Sequence, residues 1–534
     1  MPMFISPVID RYQYYFLRET LETSIPDDHP VRVFDFVLDE HDWSKWHARY
    51  PGGGRPAYPA EAMCKLLVYG YSVGIRSSRA LEQACGNNRD FIWLMSGRTP
   101  DHDTIAAFRR EHGPEFKKIF RTTVAVCVEA GMVSLKRLMV DGTRVEANNS
   151  SQRTKTAADL EEMLKGLDAR IEKILAEAEA QDGHEDELFG REGSPNTLPA
   201  ELKDLRRQQE KLRQALDKVR GKMARAMAIE GATAEEAARK RVPITDPDSE
   251  VMKNKKGGFG PNFTPFVGTD AGQVIVAEGV TNSHHDDDHL MAAIEEAETA
   301  TGQTIEQVQA DSGYTTPGNL RSCELKGIDP CMAPIQTSLE RSNAGEVIPP
   351  WPSDVPCEAD HAEGFKVNGL SFPRDRHGKF AKAAFRYEAS KDCYLCPTGQ
   401  KMEREGNGLQ RRKSGQMDTV YRCRACKGCS FRPVCTSDPK GRRIKRREYE
   451  EVHERQAERM RDPQRREDYK LRKQTVEPVI GVIKEIVRLR RFLLRGLEGV
   501  CAEWSLACAA FNLKKLAACT AGLAMLRFVT GSVA

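Results

Sequence analysis

Residues 306–320 read EQVQADSGYTTPGNL. A strand-like run ends on a carboxylate, Asp311, and Ser312 and Gly313 turn the chain at once. A charge at a strand end is costly if buried without partners, but it makes sense where it faces a cleft and holds a cation. The same local grammar occurs in residues 135–150, LKRLMVDGTRVEANNS, where Leu138, Met139 and Val140 lead into Asp141 and Gly142. If the two strands are neighbours in one sheet, both carboxylates emerge at the same edge and repel each other unless a cation lies between them. Hard divalent ions such as Mg²⁺ take carboxylate oxygens, and a pair of them can drive in-line phosphoryl transfer.

That chemistry needs a third acid. Glu477 is the candidate, within YKLRKQTVEPVIGVIKEIVRLRRFLLRG, residues 469–496. Val479, Val482, Ile483, Ile486 and Leu493 give the segment a helical apolar face. Lys473 and Lys484 fall near the face of Glu477 at about 100° per residue. Pro478 predicts a kink or a restart of the helix directly after Glu477. A surface Glu in ordinary ion pairs would fit the same local pattern. Two rival acids are read as structural. SHHDDDH, residues 283–289, caps a helix starting near Asp287, and Asp270 lies in a hairpin turn, where Asp is favoured for its backbone conformations.

Outward from these acids, residues 1–130 read as a helical region. Pro59 stands near one helix start, Ser77 or Ser78 caps another with Gly86 as its stop, and Asp101 caps a third that buries Ile105 and Phe108 and leaves Arg109 and Arg110 outward. Such short helices resemble a helix-turn-helix module, and a small bundle that only packs would share the pattern. Residues 131–155 carry the first core strand. Residues 156–240 hold two long, Leu-spaced, charged helices, a coiled-coil-like hairpin inserted before strand signals resume. Residues 241–340 predict a hairpin turning at Asp270–Gly272, then helix, strand, helix from Thr316–Pro317 to Gly327, and strand. An irregular Cys-rich stretch follows at 341–440, then basic helices at 441–515 and a tail at 516–534.

The chain of 534 residues carries a net charge of only +3, yet residues 440–495 hold 19 Lys or Arg against 10 Asp or Glu. That local excess suits a phosphate backbone, although a solvated helix surface with internal ion pairs would also carry it. Fifteen Cys residues, an odd number, do not suggest a disulfide framework. Cys393 and Cys396 form CYLC, and Cys423, Cys426, Cys429 and Cys435 form CRACKGCSFRPVC. Paired CxxC knuckles predict a structural zinc site using four of the six thiolates. No apolar run approaches the roughly 18 residues that span a bilayer, and the start of the sequence shows no signal peptide, so the expected compartment is the cytoplasm, associated with the nucleoid and without membrane contact.

In combination, these motifs resemble the DDE transposases of bacterial insertion sequences. MVDGTRVEAN, QADSGY and EPVIGVIK are similar to that family's three acidic motifs in order. RPAYPAEAMCKLLVYGYSVGIRSSRALEQAC and PDHDTIAAFRR resemble the helical N-terminal domain of one group, and TDPDSEVMKNKKGGFGPNFTPFVGTD resembles the segment re-entering the core. The resemblance implies an α/β fold: a ribonuclease H-like mixed-sheet core with a helical N-terminal domain, a long helical-hairpin insertion and a Cys-rich insertion. It implies a metal triad of Asp141, Asp311 and Glu477 holding two Mg²⁺ or Mn²⁺ ions. A Tyr, Arg, Glu, Lys signature has gaps of two, three and six residues in that family. Here Tyr469 to Arg472 keeps the first gap and Glu477 to Lys484 the last, while the middle gap is one residue too long from Arg472 and correct from Lys473. The implied activity is cleavage of transposon ends and strand transfer into target DNA by a dimer or larger assembly. The implied DNA contacts are Arg76, Arg79, Arg109 and Arg110 in the N-terminal helices and Tyr469, Arg472, Lys473, Arg488, Arg490 and Arg491 in the basic segment, with Lys484 beside the cut. A non-catalytic DNA-binding regulator, or a metal nuclease that cuts without joining, would share most of these features.

Overall fold

The computed structural model describes residues 20–50, 56–149, 153–189, 200–228, 232–254, 257–283, 289–334, 366–367, 370–372, 377–411 and 417–519. His284 to Asp288 of the SHHDDDH run and most of the 516–534 tail lie outside them.

The chain begins with helices whose starts follow local chemistry. α1 (Pro30–Asp39) has proline in its first turn, α2 (Ala60–Ser72) follows Pro59, and α3 (Ser78–Asn87) is capped by the Ser77 hydroxyl, which accepts from the Ala80 N–H. α3 runs through Gly86 and stops at Asn88. α4 (His102–Glu111) is capped by Asp101, and α5 (Phe116–Glu129) completes the region. In α4, Ile105 and Phe108 are buried, but Arg109 is buried too, contrary to the outward position expected from the helix pattern. Its guanidinium donates to the Arg76 carbonyl at 2.8 Å, a partner 33 residues away that helical periodicity does not reveal.

β1 (Arg137–Gly142) and the short β2 (Val145–Glu146) precede the hairpin of α6 (Ala157–Phe189) and α7 (Ala200–Ala228). The hairpin packs on a small apolar seam of its own, including Leu160, Leu212, Leu216 and Val219. β3 (Glu250–Lys253), β4 (Phe259–Thr269) and β5 (Ile275–Thr281) follow. α8 (Leu290–Thr301), β6 (Gln307–Ala310), α9 (Pro317–Lys326) and β7 (Asp329–Met332) complete a seven-stranded mixed sheet. Its path is β2-β4-β1-β6-β7, with β3 and β5 also paired to β4. β4 is antiparallel to both β1 and β5, whereas β1, β6 and β7 are parallel. Asp270 serves the β4–β5 turn, accepting from the Val274 and Ser134 N–H groups.

The Cys-rich stretch is not irregular throughout. β8 (Arg386–Glu388), β9 (Cys393–Leu395), β10 (Lys401–Arg411), β11 (Met417–Cys423) and β12 (Arg443–Arg447) form an antiparallel sheet with its own core around Phe380, Tyr394, Tyr421 and Phe431. Charged residues dominate these strands, so the apolar alternation by which strands are recognised is weak.

α10 (Glu450–Arg459), α11 (Pro463–Glu485) and α12 (Gly496–Ala518) end the described chain. α12 is apolar on almost every side and is therefore central: it packs on α2, α5 and β5, joining the N-terminal helices and the sheet in one continuous core. Several of its buried polar groups are matched by hydrogen bonds. Asn512 accepts from the Ile275 N–H and donates to the Ile275 carbonyl, and Trp504 donates to the Phe266 carbonyl. Among the described residues no helix is long and apolar enough to cross a membrane.

α11 runs without interruption through Pro478, so the helix does not restart there. Proline removes the N–H that would bond the carbonyl four residues back. That carbonyl, on Gln474, accepts instead from the Gln273 side chain at 3.0 Å.

The connector between α11 and α12 is clasped to the N-terminal helices. Glu503 is fully buried; its Oε2 accepts from the Leu493 and Leu494 N–H groups at 2.7 and 3.0 Å, and its Oε1 lies 3.5 Å from Arg76. Arg76 also donates to the Arg491 carbonyl. Gly74 has φ +78°, and a Cβ there would lie 2.7 Å from the Ile486 carbonyl, so a side chain would push this connector away. Removing one partner of a buried pair leaves the other uncompensated. Glu503→Ala should therefore destabilise the protein by about 3–5 kcal/mol, read as a lowered denaturant midpoint, and Arg76→Met combined with Glu503→Leu should recover much of the loss.

Candidate active site

Register brings the first two acids together. β1 and β6 are parallel neighbours with Val140 opposite Ala310, so the next residues, Asp141 and Asp311, leave adjacent strands side by side, about 4.8 Å apart between strand axes. Each is followed by a turn that its own carboxylate steadies. Asp141 accepts from the Gly142 N–H at 3.0 Å, and Asp311 accepts from the Gly313 N–H at 2.6 Å, capping a short 3₁₀ turn, Ser312–Tyr314. Buried Tyr314 anchors that turn in the core. Asp311 is partly exposed, as a residue facing a cleft must be.

α11 supplies the remaining groups. It lies across β1, β4, β6 and β7, with Val476, Val479, Ile480 and Ile483 buried against the sheet. Arg472 belongs to the buried side of the helix, whereas Lys473 is exposed. The Arg472 guanidinium stands between two carboxylates, 3.5 Å from Asp141 Oδ2 and 3.5 Å from Glu477 Oε1. Tyr469 lies one turn earlier, with its ring centroid 5.9 Å from the guanidinium carbon. Burial holds the Tyr469 phenol above its ordinary value; the Arg472 charge works against that rise and the Asp311 charge adds to it. Nearly two turns beyond Pro478, Lys484 donates to the Thr143 hydroxyl and, at 3.1 Å, to the Arg144 carbonyl. Asp141, Asp311, Glu477, Tyr469, Arg472 and Lys484 thus share one region at the sheet edge. Thr143 and Arg144 belong to it as well and had not been singled out from the sequence. Their signal was their position two and three residues after Asp141.

Burial pushes the Asp141 carboxyl up to about 6; the Arg472 charge works against that rise, while Asp311 and Glu477 add to it. Three carboxylates share this edge with one buried guanidinium, although the Glu477 side chain is half exposed. The donor set, three carboxylates, suits a hard divalent ion. Among the described residues, no three His, Cys, Asp or Glu side chains are gathered tightly enough to hold a metal ion.

The other predicted DNA contacts divide into two groups. Arg76 and Arg109 are committed to internal partners. Arg79, Arg110, Lys473, Arg488, Arg490 and Arg491 are exposed; Arg490 pairs with Glu485, and Arg491 lies 3.7 Å from Glu146.

The zinc expectation finds no support. Cys393 is separated from the others because it lies three positions before Cys396 along an extended segment, an odd spacing that turns the two thiols to opposite sides. Cys396, Cys423, Cys426, Cys429 and Cys435 do line one pocket, with Phe380, Phe431 and Arg442. There the Cys396 thiol is pushed down to about 6 by a hydrogen bond with Cys423, while Cys423 is pushed up. All six are free cysteines.

The raised Asp141 carboxyl makes a pH prediction. A carboxyl whose folded value exceeds its unfolded one favours folding below pH 3.8 and loses that contribution as pH rises through about 6. In metal-free buffer, Asp141→Asn should be more stable than wild type by about 2–3 kcal/mol at pH 8, and the difference should vanish near pH 4. Unfolding curves across this range check it, and a pH-independent difference would contradict it.

Two family models match the chain. One is described as Transposase DDE domain and matches residues 395–517, which include Glu477, Arg472 and Lys484. The other is Transposase domain (DUF772) and matches residues 19–111, the N-terminal helices. Asp141 and Asp311 lie outside both matched segments. No curated protein and no solved structure matches the chain. The two matches together support a DDE transposase of the insertion-sequence type.

Proposed function

We propose that the protein cleaves the ends of an insertion sequence and joins them to target DNA, with Asp141, Asp311 and Glu477 as the metal-binding acids of a ribonuclease H-like core. The observation that carries this reading is the parallel register of β1 and β6, which sets Asp141 and Asp311 side by side beneath the helix that bears Glu477. The sheet supports it as well: an antiparallel β5-β4-β1 half joined to a parallel β1-β6-β7 half is the strand arrangement expected of such a core.

Two divalent ions, Mg²⁺ or Mn²⁺, when bound by these carboxylates would supply activation of the attacking oxygen and stabilisation of the leaving one. The protein's own groups do the rest. The β1 and β6 turns hold the two aspartates in fixed orientation. Lys484, steadied by Thr143 and Arg144, presents a positive charge at the same edge, suited to a phosphate near the cut. Exposed Arg79, Arg110, Arg488, Arg490 and Arg491 would follow the DNA backbone, a contact that weakens steeply with salt. Joining two ends calls for at least two copies of the chain.

The test is a cleavage and strand-transfer assay with donor ends and a plasmid target. Asp311→Asn should abolish Mg²⁺-dependent cleavage and leave DNA binding largely intact. Cleavage by the variant at the wild-type rate would overturn the assignment.

A further inference from the structure

The pocket already contains a cation, and it belongs to the protein. The Arg472 side chain is only 7% exposed, and its two terminal nitrogens face carboxylates from different elements, Asp141 on β1 and Glu477 on α11. Both separations are 3.5 Å, longer than the 2.7–3.2 Å of a good N–H···O hydrogen bond. Nε and Nη1 find no hydrogen-bond partner among the described residues. A guanidinium carries five donors in a rigid fork; apart from a hydrogen bond with the Tyr469 hydroxyl, this one is held in a buried place chiefly by charge, with Nε and Nη1 unspent. The geometry suits a side chain neutralising the site in the absence of another cation; it does not suit one in its best-bonded position.

We propose that Arg472 is the resident counter-charge of the carboxylate pocket, and that it couples divalent-ion binding to DNA binding. This rests on the triad being the ion site, as proposed above. An ion bound by Asp141 and Glu477 takes over the charge that holds Arg472 and repels its guanidinium. The displaced guanidinium then needs another anion, and a DNA phosphate at the pocket mouth offers a planar, bidentate partner for its unspent donors. Lys484 does not compete for this role, because it is engaged by Thr143 and Arg144; Lys473 is exposed, whereas Arg472 is buried between the two carboxylates. By linkage, DNA strengthens ion binding by the same factor as ions strengthen DNA binding. The resting enzyme would therefore hold divalent ions weakly until DNA is in place, which guards against cutting before the substrate is seated.

The experiment is a Mn²⁺ titration of the full-length protein followed by electron paramagnetic resonance, at low fixed ionic strength, with and without a duplex of about two helical turns. The Asp141→Asn, Glu477→Gln double variant provides the baseline for Mn²⁺ held by DNA or by other sites. Wild type should bind Mn²⁺ about tenfold more tightly with duplex present, within the 5- to 150-fold span usual for coupled sites. Arg472→Gln should bind Mn²⁺ more tightly than wild type without DNA and lose the dependence on duplex. Arg472→Lys, which keeps a charge, should stay near wild type without DNA. Arg472→Gln binding no tighter than wild type without DNA, or equal wild-type affinity with and without duplex, overturns the coupling. A double variant that binds Mn²⁺ as well as wild type overturns the triad reading, and this proposal with it.

Discussion

Electrostatic balance at one sheet edge governs this molecule. Two aspartates leave adjacent parallel strands in register, a glutamate approaches from an overlying helix, and the first aspartate is largely withdrawn from water. Like charges so placed raise one another's affinity for protons or cations. In the protein alone the balance falls to one arginine, and the Asp141 carboxyl is still pushed up to about 6. Such a cluster is costly to stability and is the kind of arrangement found where a site is built to receive something positive.

The rest of the fold holds that edge in place. The central helix α12 joins the N-terminal helices to the sheet, and the Glu503–Arg76 clasp fixes the connector through which α11 reaches it. Gln273 fills the hydrogen-bond gap left by Pro478, and α11 carries Arg472, Glu477 and Lys484 on one continuous helix. The helical hairpin and the Cys-rich sheet have separate cores, so neither is needed to close the pocket itself.

Much of this was readable from local chemistry. The strand–Asp–small-residue pattern marked Asp141 and Asp311, and capping residues such as Ser77, Asp101 and Thr316 marked their helix starts. What escaped reading depended on distant partners. The inward turn of Arg109 is set by a carbonyl on another element, and the continuity of α11 by a side chain some two hundred positions earlier. The signature spacing was split, its first gap fitting Arg472 and its middle gap Lys473; the helix turns Arg472 toward Asp141 and leaves Lys473 exposed. Cysteine spacing likewise left open which of the six thiols gather: five line one pocket, and Cys393 is not among them.

The proposed convergence of the three acids on one ion is tested most directly by charging the protein with Fe²⁺ in place of Mg²⁺ and generating hydroxyl radicals with ascorbate and peroxide, which cut the backbone only close to the bound iron. Fragments should end near residues 141, 311 and 477 together, and excess Mg²⁺ should suppress all three. Cuts confined to one of these segments, or clustered elsewhere in the chain, would contradict a shared metal site.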